Sequence, residues 1–133
     1  MGIDLLGNHG DERFSHAAWS KCLNLAIAFG WRPKTPVASL YYNDYHEVND
    51  RDARALALTL RRAVSALRMG QSLTDEQAKA FDKLQEGLDP FVPFDEVPFS
   101  TDRPLSSEEL LDAVEQLVRR LADYALLGGF TVA

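Results

Sequence analysis

The stretch from residue 43 to residue 70, NDYHEVNDRDARALALTLRRAVSALRMG, constrains the fold more than any other part of the chain. Ala53, Leu56, Ala57, Leu60, Val64 and Leu67 recur at helical spacing and form one apolar stripe on a long helix. Asn49 or Asp50 supplies a capping oxygen at its start, where Asp50 and Asp52 also suit the helix dipole. Arg68 lies in the last turn, and Gly70 follows as the stop.

Three more helices are expected around it. Ser15 caps the first, which runs to Gly30 and carries Ala18, Trp19, Cys22, Leu23, Ala26, Ile27 and Phe29 over most of its circumference. A helix so broadly apolar packs on several sides. Another starts at Thr74, with Gln77 completing a capping box, and reaches about Gln85. The last starts near Ser106 and Glu109 and ends at Gly128-Gly129, with Leu110, Val114, Leu117, Val118, Leu121 and Tyr124 on one face. Residues 7–13 read as a turn region, and residues 88–105, with four prolines, exclude a helix. The fold class expected is therefore mainly α. It is a compact bundle of about four helices, with a small sheet from short strands near residues 3–6, 40–42 and 130–132. Residues 1–133 form one domain with a long Pro/Phe-rich connection at 88–105.

Charge narrows the classes of partner. A net charge of −6 argues against nonspecific binding to nucleic acid or to an anionic membrane surface. The charge is uneven, with five arginines against two aspartates in residues 50–68 and eleven acids against three bases in residues 74–112. These segments attract each other within the fold or between copies, the second case giving a homodimer. A single cysteine excludes an internal disulfide and suits a reducing cytoplasm. No apolar run has the length of a membrane span, and no basic-then-apolar leader opens the chain.

These residues resemble an uncharacterised family of small bacterial proteins. Its pattern has a Trp-led helix ending in Gly-Trp-x-Pro, an aromatic-x-Asn-Asp-Gly turn, an Asp-Ala-x-x-Leu-Ala-x-x-Leu helix and a C-terminal Gly-Gly-Phe. The matching positions are Trp19, Leu23, Ala26, Gly30, Trp31 and Pro33, then Tyr41, Asn43 and Asp44. Val48, Asp52, Ala53, Leu56, Ala57 and Leu60 continue the match, and Gly128, Gly129 and Phe130 end it. Tyr45 stands where the pattern has glycine, and residues 70–105 match nothing in it. The resemblance implies a shared fold and no established activity.

Several groups are candidates for chemistry. His9, Asp11 and His16 lie close in sequence, and a divalent metal takes two imidazoles and a carboxylate. No fixed spacing such as His-Glu-x-x-His holds them, so exposed turn residues are the plainer reading. Asp44, His46, Asp50 and Asp52 surround a helix start, where a carboxylate beside His46 would tune it as an acid or base. Turn and dipole roles account for the three aspartates without catalysis. Cys22 with His16 or His46 would make a nucleophile and base, but Cys22 lies on the apolar side of its helix, where cysteine acts as a small hydrophobe. Walker, Rossmann and nucleophile-elbow patterns are absent, as are paired zinc cysteines. No cofactor is implied.

Two surfaces are candidates for binding another protein. Phe91, Phe94 and Phe99 interleave with Asp95 and Glu96, giving aromatic anchors in an acidic rim or a cap on the bundle core. Arg54, Arg61 and Arg68 repeat every seven residues along one edge of the long helix, to grip an acidic partner or to cover core edges with their stems. The functional expectation is a small cytoplasmic protein–protein interaction module of adaptor, inhibitor or immunity type, not an enzyme. The alternative is an enzyme or a small-ligand or metal-binding protein using the turn acids with His46 or His9.

Overall fold

A computed structural model describes residues 2–42, 45–88 and 107–133. Among them the chain forms β1 (Gly2–Gly7), β2 (Gly10–Ser15), α1 (His16–Ala28), α2 (Val37–Leu40), β3 (His46–Val48), α3 (Asp50–Arg68), α4 (Asp75–Leu88), α5 (Ser107–Leu126) and β4 (Phe130–Val132). The described strands make one antiparallel sheet in the order β2-β1-β4-β3. The fold is α+β, which corrects the expectation of a mainly α bundle with a small sheet attached.

Three local misreadings lie behind that correction, and one is that His46–Val48, not expected as a strand, forms β3. Residues 10–13 belong to a strand and not to a turn region. The turn is confined to Asn8 and His9, and Gly7 pairs with Gly10, whose φ of +125° needs glycine. β2 was hard to see because Phe14 is its one buried residue. Residues 40–42, expected as a strand, instead complete the short helix α2 and the turn after it. Their carbonyls are taken by side chains from the first helix. The Trp19 indole donates to Leu40 O at 2.7 Å, and His16 Nε2 donates to Tyr41 O at 2.9 Å. With those acceptors occupied, the segment has little to offer a ladder.

Local capping rules place the helix starts. Ser15 Oγ accepts from Ala18 N, and Asn49 Oδ1 accepts from Asp52 N. Thr74 and Gln77 exchange side-chain and backbone hydrogen bonds as a capping box. In α3 the stripe is buried at Ala53, Leu56, Ala57, Leu60 and Val64, and it is widened by Ala63 and Ala66. Thr59, also buried there, returns its hydroxyl proton to Ala55 O at 2.7 Å.

The core lies between the helices and one face of the sheet. Ile3, Leu5, Phe14, Val48, Phe130 and Val132 turn inward and are essentially buried. They meet Trp19 from α1 and Tyr124 from α5, both of which set their rings against Phe130. Trp31 is buried too, and its indole donates to Asp52 O at 3.0 Å, tying the loop after α1 to the first turn of α3. Tyr45, at the position where the resembled pattern has glycine, has a φ of +61°, a left-handed conformation that an L side chain rarely takes. Among the described residues, no helix is long and apolar enough to cross a membrane.

Candidate functional site

Side chains alternate across a strand, so the residues between the buried ones face the other way. Strand pairing sets Asp11 opposite Leu6, Leu6 opposite Thr131 and Thr131 opposite Glu47, a single row across all the described strands. Asp4 and Arg13 pair in a neighbouring row, with Arg13 Nε 3.7 Å from Asp4 Oδ1. Leu6 keeps 38% of its surface exposed, and Asp11, Arg13 and Glu47 are exposed as well, so among the described residues this outer face is open.

Along this row, at the end of the sheet where β1 enters its turn and β3 runs into α3, the surface forms an open cleft of about 580 Å³. Leu6, Asp11, Glu47, Asp50 and Thr131 line it, together with Asn8 and Asn49 of the adjoining turns. Among the described residues the lining holds three carboxylates and no lysine or arginine, so the cleft presents negative potential to an arriving group. Asp50 is fixed there because its Oδ1 accepts from Gly129 N at 2.6 Å. Gly129 must be glycine for β4 to enter beside this junction. A Cβ at that position would stand 2.7 Å from Val48 O and 3.0 Å from Asp50 N.

Beneath the hairpin turn, His9 Nε2 lies 3.3 Å from Gly128 O, and its ring meets Tyr124 edge-on at 4.7 Å. A carbonyl only accepts, so Nε2 carries the proton and Nδ1 is the acceptor in the neutral ring. Among the described residues that buried Nδ1 has no hydrogen-bond partner. The Tyr124 hydroxyl lies 2.8 Å from Gly10 O and 3.0 Å from Leu5 O, anchoring the hairpin to α5. Burial, with Asp11 and then Glu12 adding to it, pushes the phenol up to about 12. It therefore stays protonated at neutral pH and serves as a donor, not a base.

The residues singled out from sequence are scattered. His16 is bonded to Tyr41 O and His9 to Gly128 O, while Asp11 alone of that trio lines the cleft. Among the described residues, no three His, Cys, Asp or Glu side chains converge as metal ligands. Cys22 is fully buried, and desolvation pushes its thiol up to about 12, which removes it as a nucleophile at neutral pH. His46 sits half-buried on β3 opposite Val132, and Asp52 accepts from Lys34 N at 2.7 Å. Asp44 lies outside the described residues, as do Phe91, Phe94, Asp95, Glu96 and Phe99.

The arginine row divides. Arg61 pairs with Asp123 at 2.9 Å, and Arg68 bonds both Asp112 and Glu115, so these two serve the contact between α3 and α5. Arg54 is exposed near the start of α3. Glu47, Thr131 and Leu6 were not found from sequence. Glu47 and Thr131 lie on strands as short as HEV and FTV, where a period of two has almost no room to repeat, and Leu6 follows Leu5 in β1, so neighbouring apolar residues hide the alternation. No protein-family model, no curated protein and no solved structure matches this chain.

Proposed function

We propose that this protein works by binding another protein, and that the open outer face of the sheet receives a basic segment of the partner. The observation that carries this reading is the cleft built from Asp11, Glu47 and Asp50, which among the described residues has no cation in its lining. Exposed Leu6 and the Thr131 hydroxyl add an apolar contact and a hydrogen-bonding group beside the carboxylates. Cys22 is buried with its thiol pushed up to about 12, and the Tyr124 hydroxyl is bonded inward to the hairpin, so neither acts on this face. A cytoplasmic setting fits a chain whose single cysteine is unpaired.

The test is fluorescence anisotropy with a labelled arginine- and lysine-rich peptide, against the native chain and an Asp11→Lys/Glu47→Lys variant. The native chain should bind in a salt-dependent way, and the variant should lose roughly tenfold or more in affinity. Equal binding by the two proteins, or none by the native chain, would reject the reading.

One observation favours a second reading, a small-ligand or metal-binding protein using Asp50 with His9. The two flank Gly128, where a Cβ would lie 3.2 Å from Asp50 Oδ1 and 3.7 Å from His9 Cδ2, and His9 Nδ1 is buried without a partner among the described residues. Metal analysis of protein purified without a histidine tag tests it. A stoichiometric metal that is lost in His9→Ala supports it, and metal-free protein with unchanged stability on adding zinc or manganese rejects it.

A further inference from the structure

The strand order leaves one side of β2 unpaired among the described strands. Antiparallel alternation decides which of its peptide groups face that side. Asp4 donates to Ala133 O at 3.0 Å and accepts from Ala133 N at 2.8 Å, so its peptide groups point toward β4. Arg13 is its partner in β2, and the same alternation turns the Arg13 N–H and C=O outward to the free edge. Asp11, two residues earlier, is oriented in the same way.

A bare edge of this kind invites another strand, yet at Arg13 it is closed from within the chain. The Arg13 N–H donates to Glu12 Oε1 at 3.2 Å, and the Arg13 C=O accepts from Arg120 Nη2 at 2.9 Å. Arg120 Nη2 also bonds Glu12 Oε1, and its guanidinium lies over the Phe14 ring, 4.7 Å from the centroid. Glu12, Arg120 and Phe14 thus hold one another against the edge. The opposite edge is closed by the same device on a smaller scale, since Thr35 Oγ1 donates to Glu47 O at 2.6 Å.

We infer that the Glu12–Arg120 pair is a latch that keeps the β2 edge from accepting a strand of a second copy of this chain. Charge complementarity names the occupant. Laid antiparallel about a twofold axis at Glu12, two copies of β2 set Asp11 of each opposite Arg13 of the other. In that register the outward peptide groups meet, each pair exchanging two backbone hydrogen bonds, with opposite charges side by side on the outer face. Glu12 then faces its own symmetry mate, a like-charge contact that adds to the latch in opposing the pairing. The inference concerns the edge of the sheet and not the cleft on its face, so it stands or falls apart from the peptide-binding reading.

The test is sedimentation equilibrium of the native chain, Glu12→Ala/Arg120→Met, and the same double variant carrying Asp11→Lys. Circular dichroism of each reports folding. Opening the latch should strengthen self-association by roughly tenfold or more, and Asp11→Lys should abolish the gain by setting lysine against arginine. A folded double variant that associates no more than the native chain overturns the latch. A gain that survives Asp11→Lys overturns the proposed pairing. Should the double variant not fold, Glu12→Ala alone frees the Arg13 N–H and removes the like-charge contact. It is expected to give a smaller gain, and no gain would overturn the proposal.

Discussion

On the inner face of the sheet, Ile3, Leu5, Phe14, Val48, Phe130 and Val132 each keep 3% or less of their surface exposed. On the outer face, Leu6 keeps 38%, and Asp11, Arg13 and Glu47 are exposed alongside it. The same strands supply both faces, so backbone pairing is held constant and only the surroundings differ. The inner face is decided by packing against α1 and α5, where each methyl group has a neighbour and the register cannot slip without exposing the whole set. Among the described residues nothing packs on the outer face, so its side chains are free to be chosen for what they meet in solution. That contrast is the physical basis for looking for function on the outer face.

Substitutions can break or sharpen it. Phe130→Ala removes a ring that Trp19 and Tyr124 both touch, and should cost about 3–5 kcal/mol in urea unfolding. A loss as small as that of a surface change would mean the inner face is not packed as described.

Acid should reveal the seam between the two faces. The Arg120 hydrogen bond, opposed in part by burial, holds the Glu12 carboxyl below its ordinary range. Its stabilisation is therefore complete above the ordinary carboxylate pKa and is lost as pH falls through the lower folded value. The pair is partly exposed, which limits the effect to about 1 kcal/mol or less. Urea midpoints measured against pH should fall less steeply for Glu12→Gln than for the native chain, and identical slopes would dissociate Glu12 from the fold's stability.

Glu47→Gln should give the smallest effect, within about 0.5 kcal/mol of the native stability, because an exposed outer-face side chain has little packing to lose. A larger destabilisation would show that the outer face also supports the fold. Weaker binding of a basic peptide at unchanged stability would mark it as a contact surface.

Helix starts were readable in advance because capping is local. Ser15, Asn49 and the Thr74–Gln77 box each act within a few residues of themselves, and the stripe of α3 repeats often enough to be recognised. The candidate site was largely unreadable. Asp11 and Asp50 were noticed as acids near turns, but for metal or helix-dipole roles, and Glu47, Leu6 and Thr131 carry no individual mark. The motif residues that stood out, His16 and Cys22, turned out to brace α2 and to fill the core.

What the amino-acid order determined alone is where helices begin and which of their sides is apolar, since neighbours within one turn settle both. The sheet was decided only in three dimensions. Glu47 meets Thr131, and Leu6 meets Thr131, across most of the length of the chain. A strand of three residues acquires its identity from the partner that completes its hydrogen bonds, and nothing within those three residues announces who that partner is.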